Sequence, residues 1–243
     1  MNTSNLALEV SGTPVAVSFK DIKNLHISVY PPEGQVRVSA PLQYDEEQIR
    51  LAVIQRLTWI RKEQKRFATA DRQTKRLMVE GETHYVLGRR FRLRVIEQPG
   101  RTSFAINGNR LELRTPAEIS RDYRFRKLED WYRDILKVEI PPLISTWEKK
   151  LNVQVPKWTI RRMKTKWGSC NRNSRHIWFN LELAKKEPEA IEYIVVHEMM
   201  HYFETGHGDA FVALMDRHMA DWRERRNRLD ASPLSEEKWS SEE

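Results

Sequence analysis

His197-Glu198-Met199-Met200-His201, with His207 six residues on, have the types and spacing to do chemistry. Two histidines four apart project from one helix face, so two imidazoles can share one metal ion. The Glu between them can reach a water at that ion and take its proton. His207 supplies the third ligand a catalytic zinc needs and leaves a fourth position for water. Glu204, one turn beyond His201, and His218 are rival third ligands. Ligand type and the Gly206 turn favour His207. The chemistry this set points to is zinc-dependent hydrolysis, of a peptide bond first.

The ligands need a helix to hold them. Ile191-Glu192-Tyr193-Ile194-Val195-Val196 precedes the motif and is strongly apolar, so the helix is expected to be largely buried. A buried helix rarely tolerates two His and a Glu unless they are paired or ligated. Pro188 suits its first turn, and Glu187 and Glu189 suit its positive end. It should stop near Thr205-Gly206, because Gly readily takes the left-handed conformation that closes a helix. A last helix is expected from Asp209, a plausible N-cap, with Phe211, Leu214 and Met215 packing it on the metal helix. His26, His84, His176 and His218 read as surface or satisfied core histidines.

Before the metal helix, Trp158 to Met163 looks like a strand. Trp167-Gly168-Ser169-Cys170-Asn171 reads as a turn that ends it, and His176 to Asn180 as its hairpin partner. Residues 120 to 150 read as helix, interrupted or kinked at Pro141-Pro142. Segments 83–87, 91–95, 104–106 and 111–113 read as strands, the last two joined at Asn107-Gly108-Asn109. Alternating segments at 15–19, 25–30 and 36–38 read as strands, with a turn at Pro31-Pro32-Glu33-Gly34. Asp45 caps one helix to about Phe67, with Ile49, Val53, Leu57 and Ile60 inward. No internal repeat is visible. An acidic tail closes the sequence at 235–243.

The chain has 243 residues, 40% of them hydrophobic and 31% charged, enough for one large or two small cores. No apolar run approaches the roughly 20 residues of a membrane helix. One cysteine, Cys170, excludes an internal disulfide and fits a reducing compartment, so cytoplasm is expected. Net charge is +8, with a basic cluster at Arg161-Arg162-Met163-Lys164-Thr165-Lys166. Such charge attracts nucleotides, nucleic acid or acidic peptides, though no nucleic-acid motif accompanies it. The expected architecture is α+β. A β-rich region with one long helix spans 1–115, and a catalytic domain spans 116–243.

Three segments carry a family resemblance: Arg162 to Cys170, Asn180-Leu181-Glu182-Leu183, and Tyr193 to His201 with His207 and Phe211. Together they resemble the YgjP-like metal-dependent hydrolases, which are related to SprT-like zinc metallopeptidases. The N-terminal strands, the Trp59-Ile60 helix and the stretch Gly81 to Gly88 are similar in layout. The resemblance implies a zincin-like catalytic domain, a metal held by His197, His201 and His207, and Glu198 as catalytic acid/base. Met199-Met200 and Gly208-Asp209 depart from the common pattern but leave the ligand set intact. The His201-to-His207 spacing equals that of metzincins, yet Glu204 stands where those have Gly.

The resemblance also implies two substrate classes. As a peptidase, the protein would bind extended peptide along the segment into Trp167-Gly168, where Gly168 permits close backbone approach. As a metal-dependent pyrophosphatase on uridine triphosphate, it would use Arg161, Arg162, Lys164 and Lys166 to neutralise phosphates. Asn180 would orient a ligand or cap a turn. Zn²⁺ is the expected ion from its three imidazoles, with Co²⁺ or Mn²⁺ open. A third reading is a basic nucleic-acid-binding protein with a structural zinc. Three histidines rather than four ligands, beside a buried Glu, weigh against it.

Overall fold

The structure, a computed structural model, describes residues 5–30, 34–69, 76–163 and 166–231. Lys164, the Pro31-Pro32-Glu33 part of the expected turn and the acidic tail lie outside them. The described residues divide into two compact units, one up to residue 69 and one from residue 76 to 231.

In the first unit, β1 (Asn5–Val10), β2 (Thr13–Lys20), β3 (His26–Tyr30) and β4 (Gln35–Pro41) form a sheet of order β1-β2-β4-β3. The inner pair β2 and β4 is parallel, matching Val15 to Val36 and Val17 to Val38. Alternation turns these four valines to one face, where they are buried. Helix α1 (Glu46–Gln55) closes that core with Ile49 and Val53. Its start was legible: Asp45 accepts from the Gln48 amide at 2.7 Å, and the Gln48 side chain accepts from the Asp45 amide at 3.1 Å. The expected single helix to Phe67 is two. At Arg56 the amide bonds back to Val53 O at 3.1 Å, a three-residue turn, and α2 (Leu57–Thr69) follows. Leu57 is only partly buried, whereas Ile60 is fully buried.

The second unit begins with β5 (Thr83–Val86), β6 (Arg89–Glu97), β7 (Ser103–Asn107) and β8 (Arg110–Thr115), in order β5-β6-β8-β7. Helix α3 (Arg121–Leu151) follows. Its buried stripe, Leu128, Tyr132, Leu136, Ile140, Ile144, Trp147 and Leu151, keeps the helical period. The expected interruption at Pro141-Pro142 is absent: the helix runs through, with Ile140 and Ile144 buried on either side of the pair. It ends where Asn152 takes a left-handed conformation.

The expected boundary at 115/116 also moves. Phe91, Leu93, Leu111 and Leu113 share one core with Leu136 of α3 and with Ile177, Val195 and Val196 beyond it. A cut at 115 would divide that core, so the second sheet belongs with the C-terminal half.

The third sheet has order β10-β11-β9, built from β9 (Lys157–Arg161), β10 (Gly168–Asn171) and β11 (His176–Asn180). Here the expected hairpin is corrected. Gly168 to Asn171 is a strand rather than a turn, and it is the antiparallel partner of β11. β9 runs parallel to β11 on the other side. A short 3-10 turn (Leu181–Lys185) leads into α4 (Pro188–Met200), α5 (Asp209–His218) and α6 (Trp222–Ala231). Among the described residues no helix is long and apolar enough to cross a membrane.

Candidate metal centre

Helix α4 starts as its residues dictate, with Pro188 in the first turn, and is buried almost all round. It ends earlier than expected. His201 is its C-cap, and Gly206 is not among the residues with positive φ, so no left-handed glycine closes it. Instead the amides of Tyr202, Phe203 and Glu204 bond to Met199 O or Met200 O at 2.9–3.1 Å. The chain then returns His207 to the helix. Gly208 rather than Asp209 is the N-cap of α5.

The candidate ligand atoms of His197, His201 and His207 all lie within 4.8 Å of one another. Nε2 of His197 and Nε2 of His207 are 3.0 Å apart. Two imidazole nitrogens about 2.0–2.1 Å from one tetrahedral zinc would stand roughly 3.3 Å apart, so the donor set fits such an ion. His201 Nδ1 lies 2.9 Å from the Glu204 carbonyl oxygen. A carbonyl can only accept, so Nδ1 carries the proton and Nε2 is left as a lone-pair donor. Burial and the neighbouring histidines push His197 down to about 3, so its imidazole is neutral. The Phe211 ring sits 4.8–4.9 Å from all three imidazole centroids. It gives the cluster an apolar wall.

Neither rival third ligand joins. The Glu204 carboxylate accepts from the Gly206 amide at 3.2 Å, and the cluster contains neither Glu204 nor His218. Cys170 is also outside it, a free thiol that burial pushes up to about 11. Of the other histidines, His84 is buried beside Glu82 at 3.4 Å, and His176 Nε2 pairs with Thr159 Oγ1.

Glu198 is buried, which pushes its carboxyl up to about 8; the positive charge of Lys166 opposes that shift. Gly168 lies against it. A Cβ at Gly168 would stand 2.5 Å from Glu198 Oε1, so only glycine lets β10 pass this close.

The remaining candidates separate. Asn180 takes the capping role of the two expected for it. Its Nδ2 donates to Met163 O at 2.9 Å and Lys166 O at 2.7 Å, while Oδ1 accepts from the amides of Met163 and Glu182. Buried and saturated, it staples both ends of the 163–166 segment. Trp167 is half-buried against the core, with Lys186 Nζ 5.2 Å from its ring centroid. Arg162 pairs with Glu129 of α3 at 3.1 Å.

Sequence reasoning placed Phe211 as packing and missed that it touches every imidazole. Its signal was the four-residue step from His207. Tyr193, one turn before His197 and in edge contact with it at 5.7 Å, was likewise read only as part of an apolar run.

No curated protein matches the chain. Among solved structures, the metallopeptidase zymogen of Pyrococcus abyssi abylysin is similar at 20% identity, covering 36% of this chain and 89% of that one, with a TM-score of 0.34. The family model described as YgjP-like, metallopeptidase domain matches residues 23–232. That span takes in the second sheet, the long helix and the histidine cluster together, so the chain belongs to the YgjP-like metallopeptidase-domain family and is a metal-dependent hydrolase.

Proposed function

We propose that the protein is a zinc metallopeptidase with a zincin-like catalytic domain, and that it cleaves peptide bonds in extended substrates. The observation that carries this reading is the convergence of three neutral-capable imidazoles beside a buried carboxyl on the same helix. His197, His201 and His207 would hold the ion. When bound, the ion supplies a Lewis acid that acidifies water and polarises a carbonyl oxygen.

The rest is done by the chain. The Glu204 carbonyl fixes the His201 tautomer. Phe211 excludes water from one side of the imidazoles. Glu198, buried between His197 and His201 on α4, would in its ionised form accept a proton from the attacking water and deliver it to the leaving amine. β10 is an edge strand of its sheet and passes Glu198 at Gly168. Its open edge can take an extended peptide by backbone hydrogen bonds.

The triphosphate reading needs the basic run to act together. Arg161 instead lies over the Trp178 ring at 4.8 Å, and Arg162 is paired to Glu129. That division favours peptide over nucleotide.

The test is mass-spectrometric profiling of a proteome-derived peptide library with zinc-loaded protein and with Glu198→Gln. The variant should retain its metal and lose about 100- to 10,000-fold of the cleavage. New peptide termini that form equally with Glu198→Gln, or none at all from metal-loaded wild type, would sink the peptidase reading.

A further inference from the structure

Two cations come from elements packed beside the histidine cluster. Lys166 is delivered by the stapled segment. Asn180 grips its carbonyl at 2.7 Å, and two residues later Gly168 lies against the Glu198 carboxylate. Arg226 comes from α6. Trp222, one turn earlier on that helix, stacks on Tyr193 with centroids 6.5 Å apart, and Tyr193 in turn meets the His197 ring. Residues four apart share a helix face, so Arg226 rises from the face that packs toward His197.

Both cations sit beside residues that build the site, Lys166 two residues before Gly168 and Arg226 one turn after Trp222. Both side chains are exposed. Among the described residues Arg226 has a loose partner, Asp230 at 3.8 Å one turn on, and a surface pair of that kind holds little energy. Among the described residues no carboxylate pairs with Lys166.

We propose that Lys166 and Arg226 form a two-cation rim that selects peptide substrates carrying a carboxylate close to the scissile bond. This rests on the peptidase reading. The carboxylate comes from an Asp or Glu side chain or from the substrate's own C-terminus. Either would replace solvent around two exposed cations for which the described residues show only Asp230 at 3.8 Å from Arg226 and the buried Glu198 near Lys166. Each contact strengthens binding modestly and fades with added salt.

The test measures binding and cleavage separately. Zinc-loaded Glu198→Gln protein is titrated with fluorescent decapeptides that carry one Glu, or one Gln, at successive positions. Each is made with a free and with an amidated C-terminus. Anisotropy should show the carboxylate-bearing member of a pair binding roughly tenfold tighter, a preference reduced by salt. Adding Lys166→Gln and Arg226→Gln should abolish that gap while zinc content stays unchanged. A gap in the Glu/Gln series marks a side-chain carboxylate, and one in the free/amide series marks the terminus.

Equal binding of both members overturns the proposal, and so does a gap that survives the double substitution. Inorganic triphosphate that displaces the acidic peptides at much lower concentration also overturns it, because the cations would then serve phosphate. Wild-type protein is assayed for cleavage of the same peptides. Cleavage without charge preference defeats the rim alone. Charge-selective binding without any cleavage defeats the peptidase reading and leaves the rim standing.

Discussion

The sheets β1–β4 and β5–β8 follow one plan. In each, an antiparallel pair is followed by a parallel inner pair and a second antiparallel pair, giving orders β1-β2-β4-β3 and β5-β6-β8-β7. Their inner faces serve different ends. The first buries Val15, Val17, Val36 and Val38 under Ile49 and Val53, and its core stops there. The second buries Phe91, Leu93, Leu111 and Leu113 in a core that continues through α3 to Val195 and Val196 of the metal helix. Strand order therefore does not decide what a sheet supports. What matters is which element its apolar face is packed against.

A matched pair of glycine substitutions gives the largest expected contrast. Gly168→Ala places a methyl group within 2.5–2.8 Å of the Glu198 carboxylate. Displacement of that group by a fraction of an ångström should lower kcat by about 100-fold with metal content unchanged. Gly34→Ala is crowded too, 2.8 Å from Gln64 Cγ, and has φ +72°. It should cost about 1 kcal/mol of first-unit stability and leave peptide cleavage intact. Equal loss of activity in both variants would break the distinction between the two regions.

Matched core deletions sharpen it further. Ile49→Ala and Leu113→Ala each remove a fully buried side chain and should each cost about 2–5 kcal/mol. The expected difference is in what else changes. Hydrogen exchange should accelerate in β4 for the first and in β8 for the second, and only Leu113→Ala should weaken zinc retention against a chelator.

The smallest effect is a pH dependence confined to one region. Burial holds His84 below its ordinary 6.5, and His197 falls to about 3. The unfolded chain therefore takes up these protons first, and stability rises with pH. The contribution is complete above about 6.5 and is lost as pH falls from there toward the folded values. In metal-free protein, protection against exchange, taken relative to the intrinsic rate at each pH, should fall in β8 between pH 7 and pH 5 more than in β4. The first core has no buried histidine among its described residues. Equal loss of protection in both sheets would remove histidine burial as the cause.

Much of the local structure was legible. Asp45 announced a helix cap, Asn107-Gly108-Asn109 a hairpin, and the alternation at 15–19 and 36–38 two strands. The errors have a common origin. Pro141-Pro142 reads as an interruption or a kink because local chemistry removes two amide donors; the interruption is absent, and the buried stripe continues on both sides of the pair. Gly168 to Asn171 reads as a turn because Gly, Ser and Asn favour turns. Pairing with β11 and the staple from Asn180 make it a strand. The shared plan of the two sheets left no repeat in the sequence, because strand pairing is made by backbone groups that any residue carries.

Within the site, the sequence by itself determined the ligand pair and the carboxyl between them. Helical periodicity alone sets His197 and His201 on one face. It also determined that the helix carrying them would be buried. Tertiary structure decided the rest. It brought His207 back across a turn with no left-handed glycine, set Phe211 against all three imidazoles, and tied the Asn180 side chain to Met163, Lys166 and Glu182. Spacing along a chain reports contacts within one turn of helix, whereas these contacts depend on how separate elements pack, and packing is decided by the whole core at once.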